Sequence, residues 1–555
     1  MLFFDSITKI AIFSGKEGST IKPLKTAILL LALLSPSIIQ PQTYVAGKEF
    51  PFNDIGTSYA KEAIIRLNEQ KIMNGTSDNV FSPAKPITRA EFIITVNRIL
   101  GLESVSSSVP AYKDVAKGDW FYSGVQAQTE LGLTEGKGDG TFAPFQPVTR
   151  QEAAVWIVRI LNEQASGTGT GLNYGYKDAD LIAPWARPYV AAISKLGLME
   201  GSGGRFNPVQ SLTRQETATI LDRILQNDAW SRKLSAKAPA AIQLGWQYDQ
   251  TDEQFKQSVL KSNVNVLSPR WFFLNEDGSI SDHSDANLSA WAKKNGKQVW
   301  AMFGNRLNQE NTHSLLSSGE KSAAAIAKIK SLAVKSGLHG INLDFENVAA
   351  TDGRAFTAFV SELARQLHAN GMTLSVDVSP DLGTDWTEAF DYASLGKIAD
   401  YIVLMGYDEH WAGGPAGSVS SLPWVEYGLE TLLKQVPASK VILALPLYVR
   451  DWTVDSKGNT INSEDLSLGE QFQRIARFGV KPEWNSQLGQ YTTKYYSSAA
   501  HKIWLEDSRS LTQKYTMALE ENIAGFAYWS IGGDTPEVWP ALRNAAKYSA
   551  IKSQR

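Results

Sequence analysis

The 555-residue chain contains no cysteine. That excludes disulfides, thiolate zinc sites, iron–sulfur clusters and cysteine nucleophiles. It suits export to an oxidising space, where a stray thiol is a liability. An excess of charge of either sign is also missing. Lys plus Arg number 54 against 57 Asp plus Glu, a net charge of −3. A chain so close to neutral lacks the overall footprint of a nucleic-acid binder. Histidines are only six and scattered, and Asp408-Glu409-His410 lacks the helical register that metal ligands use. No metal and no cofactor is expected. Beyond the N-terminus no stretch reaches 18 apolar residues, so no integral membrane segment is expected in the mature protein.

What is present is ordinary for a folded protein: 43% apolar and 20% charged residues. At about 150 residues per domain, the length implies roughly three to four domains. Near the N-terminus, Lys22 and Lys25 precede an apolar run from Thr26 to Leu34, followed by Ser35 and Pro36. The run is too short for a comfortable membrane span and has the length of a secretory signal's apolar core. A signal peptide over residues 1–46, cleaved near Ala46, and hence secretion are expected.

Four landmarks then recur in order, three times, at a spacing of about 60 residues. An aromatic-x-Asp comes first: Phe52/Asp54, Tyr112/Asp114 and Tyr176/Asp178. An apolar residue three before a glycine follows: Ile72/Gly75, Leu133/Gly136 and Leu198/Gly201. Next is Phe-x-Pro: Phe81/Pro83, Phe142/Pro144 and Phe206/Pro208. Last is Thr-Arg-x-Glu, opening at Thr88, Thr149 and Thr213. Thr at an N-cap with Glu three residues on is a capping box, so each copy should start a helix there. A preceding amphipathic stretch, such as Ala63–Leu67, makes each unit two helices joined by a Gly-rich turn. One such unit buries too little to be stable alone.

These residues resemble the surface-layer homology module, usually a tandem triplet. The resemblance covers residues 47–104, 108–165 and 172–228. It implies an all-α, three-pronged module from a single chain, hence a monomer. It also implies non-covalent attachment to a secondary cell-wall polysaccharide of a bacterial envelope, and so a place on the cell wall or S-layer. Arg89, Arg150 and Arg214 match the family's Thr-Arg-Ala-Glu arginine. Their guanidinium forks suit a pyruvyl carboxylate, with bracing of the helix start or of the inter-repeat contact as the alternative. Trp120 and Trp185, with Tyr59 in the corresponding place of the first repeat, are candidate sugar-stacking residues.

After a linker at 229–241, residues 242–548 alternate apolar runs with helical patterns. Eight runs read as strands: Ile242–Trp246, Asn265–Phe273, Gln298–Phe303, Gly340–Glu346, Met372–Ser379, Tyr401–Tyr407, Val441–Leu447 and Gly525–Ile531. That rhythm predicts a (β/α)8 barrel with its site at the C-terminal strand ends. The fourth run reads Gly-Ile-Asn-Leu-Asp-Phe-Glu. Strand alternation puts Asn342, Asp344 and Glu346 on one face. Carboxyls so close push one pKa upward and keep a proton on one of them. A protonated acid beside an ionised carboxylate is what glycoside cleavage needs.

The run resembles the catalytic signature of glycoside hydrolase family 18, Asp-Gly-x-Asp-x-Asp-x-Glu, with His339 and Asn342 at the first two Asp positions. The form with Asn resembles the branch containing spore-cortex and cell-wall lytic enzymes. The resemblance implies Glu346 as general acid/base, Asp344 and Tyr407 as stabilisers of the substrate's acetamido group, and Asn342, Asp408 and Trp529 as substrate-binding. Asn342 can still hydrogen-bond Asp344, with one negative charge fewer in the stack. Met405-Gly406-Tyr407-Asp408 and Trp529 fall at the ends of the sixth and eighth runs, in the family's order. Trp246, Trp271 and Trp452 are candidates for subsites or for the core. The implied reaction is retaining and substrate-assisted. The implied substrate is a β-1,4-linked N-acetylglucosaminyl glycan, with peptidoglycan ahead of chitin. A surface-tethered chitinase and a catalytically weak, chitinase-like sugar-binding protein are the alternatives.

Overall fold

The computed structural model describes residues 50–165 and 175–554. The signal-peptide expectation and the Ser/Gly-rich stretch at 166–174 lie outside them. Among the described residues no helix is long and apolar enough to cross a membrane.

All three capping boxes form. Thr88, Thr149 and Thr213 cap the helices Arg89–Leu100, Arg150–Ile160 and Arg214–Gln226, each trading bonds with the Glu three residues on. The aromatic-x-Asp and Phe-x-Pro landmarks explain one another. The Asp54 carboxylate accepts from the backbone N–H groups of Phe81 and Ser82. Asp114 does the same for Phe142 and Ala143, and Asp178 for Phe206 and Asn207. The glycine landmark is steric. A Cβ on Gly136 would lie 2.5 Å from both the Thr141 carbonyl and the Tyr112 ring, and Gly75 and Gly201 are crowded in the same way.

The repeats close a ring through backbone bonds. Ile87 N–H donates to Leu212, Leu212 to Val148, and Val148 back to Ile87, all at 2.8–3.0 Å. Isolated bridges Pro86–Thr213, Thr88–Pro147 and Thr149–Ser211 flank these bonds. The repeat arginines follow the same cycle. Arg89 Nε donates to the Phe142 carbonyl, Arg150 Nε to Phe206 and Arg214 Nε to Phe81. Each guanidinium also pairs with the capping Glu of the next repeat, at Glu152, Glu216 and Glu91 respectively, and lies over that repeat's Phe ring.

From residue 242 the eight expected strands form a closed parallel barrel. They are β1 (Ile242–Gln247), β2 (Val266–Pro269), β3 (Gln298–Gly304), β4 (Gly340–Asp344), β5 (Thr373–Val378), β6 (Tyr401–Met405), β7 (Val441–Pro446) and β8 (Gly525–Trp529). Each pairs with its sequence neighbours, and β8 returns to β1. Six of the eight expected strands are shorter than read, and two of the differences bear on the site. The second breaks at Arg270-Trp271, and β4 ends at Asp344, so Glu346 stands beyond the strand. Between β7 and β8 a five-stranded antiparallel sheet spans Tyr448–Leu505, which the barrel rhythm did not reveal.

The last helix, Val538–Ser553, belongs to both halves of the molecule. Val538, Trp539, Leu542 and Ala545 pack in the barrel's outer core, while Tyr548 and Ile551 pack in the core of the repeats. Arg543 forms a two-pronged pair with Glu103 at 2.6 and 2.7 Å, Asn544 bonds the Glu103 backbone, and the Tyr548 hydroxyl donates to the Arg159 carbonyl.

Candidate active site

Parallel strands present their C-terminal ends on one rim, and Asp344, Glu346, Tyr407, Asp408 and Trp529 all reach it. Two cavities meet there, both bordered by Asp344, Glu346, Asp408 and Trp529. One, of about 930 Å³, is polar and runs past Arg270, Arg306 and Arg450. The other, of about 580 Å³, is aromatic, with Trp246, Tyr407, Trp386, Trp411 and Trp424 in its wall. Glu346 therefore sits where an extended molecule would pass from one cavity to the other.

Burial sets the protonation of the carboxyls. It raises Glu346 to about 8, helped by the charges of Asp344 and Asp408 and opposed by Arg270. It raises Asp344 to about 6, again opposed by Arg270. Near neutral pH the pair thus holds one proton, on Glu346, and one charge, on Asp344. Tyr407 is buried and its phenol is pushed far up by burial and by surrounding carboxylates, so it stays a hydrogen-bond donor. Trp529 stacks on Tyr407 at 6.5 Å and packs against Trp246 and Tyr248. Asp408, with φ +63°, accepts from the Tyr448 hydroxyl and Arg450, both at 2.6 Å.

The expected site residues separate into groups. Asp344, Glu346, Tyr407, Asp408 and Trp529 converge. Asn342 does not face either cavity. It is 0% exposed, and its amide bonds Trp246, Ser268, Ser375 and Asp377. The expected bond to Asp344 is absent because those four partners use up the amide's donors and acceptors. His339 lies before β4, at the strand end away from the rim, with Nδ1 3.3 Å from the Val299 backbone N–H. Trp246 lines the aromatic cavity, whereas Trp271 and Trp452 are buried in the core. In the repeats, Trp120, Trp185 and Tyr59 are 62%, 53% and 69% exposed. Arg89, Arg150 and Arg214 are at most 9% exposed and occupied as inter-repeat braces.

Sequence reasoning missed Asp377, a buried carboxyl in the aromatic cavity's wall, and Arg270, Arg306 and Arg450 of the polar cavity. The signal for Asp377 was present: Ser375 and Asp377 alternate with Leu374, Val376 and Val378, giving β5 a polar inner face.

Comparison with known proteins agrees with this geometry. Residues 51–93, 111–154 and 175–218 match the S-layer homology domain. The chain is 28% identical to the uncharacterized glycosylase YvbX of Bacillus subtilis, over 57% of this chain and 94% of that one. It is 25% identical to the cortical fragment-lytic enzyme of the same organism, over 55% and 73%. The repeats are 33% identical to a surface-layer 125 kDa protein of Lysinibacillus sphaericus, over 32% of this chain and 15% of that one. Among solved structures, the spore cortex-lytic enzyme SleL of Bacillus megaterium superposes with a TM-score of 0.51 at 25% identity, covering 56% of this chain and 74% of that one. The glycosyl hydrolases family 18 model matches residues 246–534, more than half of the chain, and with three S-layer homology repeats ahead of its barrel the chain belongs to that family of glycoside hydrolases.

Proposed function

We propose that this is a secreted, wall-anchored hydrolase of β-1,4-linked N-acetylglucosaminyl glycans, with peptidoglycan as its substrate. The observation that carries the reading is the position of Glu346. It is a proton-bearing acid at the junction of two cavities, beside an ionised Asp344. Glu346 protonates the leaving oxygen. The substrate's own acetamido carbonyl attacks the anomeric carbon, and Asp344 and Tyr407 stabilise the cyclic oxazolinium that forms. Glu346 then takes a proton from water, which opens the ring with retention. Trp529 floors the reacting sugar, and Asp408 holds its edge. One feature of the polar cavity favours peptidoglycan over chitin. Arg270 and Arg306 face the polar cavity, and neither forms an ion pair among the described residues. Lactyl and stem-peptide carboxylates would match them; an uncharged chitin chain would not.

The unit at 242–548 does the chemistry, and the repeats at 47–104, 108–165 and 172–228 hold it to a wall polysaccharide. One chain closes its own ring, so the enzyme acts as a monomer. Exposed Trp120, Trp185 and Tyr59 stack on sugar rings, with Arg89, Arg150 and Arg214 bracing the repeats that carry them. The test is digestion by the full chain of purified peptidoglycan and of N-acetylchitooligosaccharides, read by mass spectrometry of new reducing ends. Muropeptides released by the wild type and not by Glu346→Gln are expected. Chitooligosaccharide cleavage alone would replace the wall substrate with chitin.

A further inference from the structure

The Asn342 amide is fully committed. Its Oδ1 accepts from Trp246 Nε1 at 2.8 Å and Ser268 Oγ at 3.2 Å. An indole N–H can only donate, so this fixes which end of the amide is oxygen. Its Nδ2 therefore points to β5, donating to Ser375 Oγ at 3.0 Å and Asp377 Oδ1 at 2.6 Å. Strands β4 and β5 run parallel with Asn342 beside Ser375 and Leu343 beside Val376. One step further along that register puts Asp344 beside Asp377. Strand alternation turns Asn342, Asp344, Ser375 and Asp377 all to the barrel interior. Asp377 is 3% exposed and borders the same cavity as Asp344, Glu346 and Tyr407. Among the described residues the one hydrogen bond of its side chain is the one from Asn342, made at Oδ1.

We propose that Asp377 is a positioning residue of the hydrolase, carrying on Oδ2 a proton that it shares with Asp344 across the β4–β5 pair. The carboxyl missing at position 342 is thus supplied from the neighbouring strand. Asn342 saturates Oδ1, which leaves Oδ2 as the oxygen that carries the proton. A neutral Asp377 lets Asp344 keep its charge, and its O–H bond orients that carboxylate. Two ionised carboxylates in that space would drive Asp344 to protonate, and it could no longer face a cation. The ionisable groups around the pair are Asp344 and Glu346 from the β4 end and Tyr407 after β6. Arg270 after β2 and Asp408 reach it through Asp344 and Glu346. Burial and the charges of Asp344 and Glu346 push Asp377 well above the carboxylate range, in keeping with this geometry. The consequence for turnover rests on the roles proposed above for Glu346 and Asp344; the shared proton does not.

The test combines kinetics with 13C carboxyl titration of the full chain. Asp377→Asn keeps a neutral donor of the same shape. It should keep kcat well above that of Asp377→Ala and leave Glu346 as the group that sets the alkaline limb of kcat/KM. Asp377→Ala removes the donor and should lower kcat about tenfold or more with KM little changed. In Glu346→Gln protein, where Glu346 no longer titrates, the Asp344 carbon should titrate in two steps. In Glu346→Gln/Asp377→Asn it should titrate in one. Identical steps in both proteins, or an Asp377 carbon that titrates in the ordinary carboxylate range, would overturn the proposal. Full activity in Glu346→Gln would instead remove the catalytic reading, while the titration would still decide Asp377.

Discussion

Arg214 closes the ring of repeats, and its removal can be costed from the structure. Its Nε donates to the Phe81 carbonyl at 2.8 Å and its Nη2 to the Asn74 carbonyl at 2.6 Å, 133 and 140 residues away. The guanidinium carbon also lies 4.6 Å from the centre of the Phe81 ring. Arg214→Ala leaves the buried Phe81 carbonyl and the more exposed Asn74 carbonyl without this donor, at about 1–3 kcal/mol for a buried group. The lost cation–π contact adds about 0.5–1 kcal/mol. Asn74 keeps some access to water, so the sum falls towards the low end, at about 3 kcal/mol. Arg214→Lys can restore one bond but not the fork and should cost roughly half as much. The assay is urea unfolding of the full chain followed by tryptophan fluorescence. Arg223→Ala is the control, because Arg223 is exposed and holds one long bond of 3.4 Å to the Gly197 carbonyl. An Arg214→Ala loss within about 0.5 kcal/mol, the range of ordinary surface changes, would refute the bracing argument.

Activity should follow a bell-shaped pH profile, falling on the acid side as Asp344 gains a proton near about 6 and on the alkaline side as Glu346 loses one near about 8. Both carboxyls hold protons more tightly in the folded protein than in the unfolded chain. Rising pH therefore destabilises the fold from the ordinary carboxylate range up to those values, and Glu346→Gln should stabilise the protein more at pH 8 than at pH 4, measured by thermal unfolding. Trp120→Ala and Trp185→Ala should abolish sedimentation with purified wall polysaccharide while changing stability by no more than about 0.5 kcal/mol, since both side chains are mostly exposed. Tyr548→Phe removes one hydrogen bond to the Arg159 carbonyl and should cost about 1 kcal/mol in the same urea assay.

The parts legible in the sequence were those whose signal is local or periodic. Thr-Arg-x-Glu marks its own capping box, and the barrel strands announce themselves by regular apolar runs. Asp344 and Glu346 stand out because two acids in an apolar strand need a reason. Long-range pairing was less readable. Whether Arg89, Arg150 and Arg214 meet a ligand or a neighbour depends on a ring closed between segments 53, 56 and 133 residues apart. Asn342 reads as free to donate to Asp344, but Ser375 and Asp377 of the neighbouring strand take both of its amide N–H donors. Asp377 was hidden for the same reason, because its partner is opposite in space and 35 residues away in sequence. The five-stranded sheet escaped because its strands are rich in polar residues and lack the apolar runs of the barrel, although Gly458 and Gly489, both at positive φ, mark two of its hairpin turns.

The shared helix Val538–Ser553 has a consequence for how the protein is made. Tyr548 and Ile551 complete the core of the repeats, yet they emerge after every barrel strand has been synthesised. Asn544 and Glu103, which bond each other across this junction, lie 441 residues apart in the sequence, a separation that delays consolidation. The repeats of a growing chain must therefore leave an apolar face open until the final helix arrives, and protection of that face from self-association falls to whatever accompanies the nascent polypeptide.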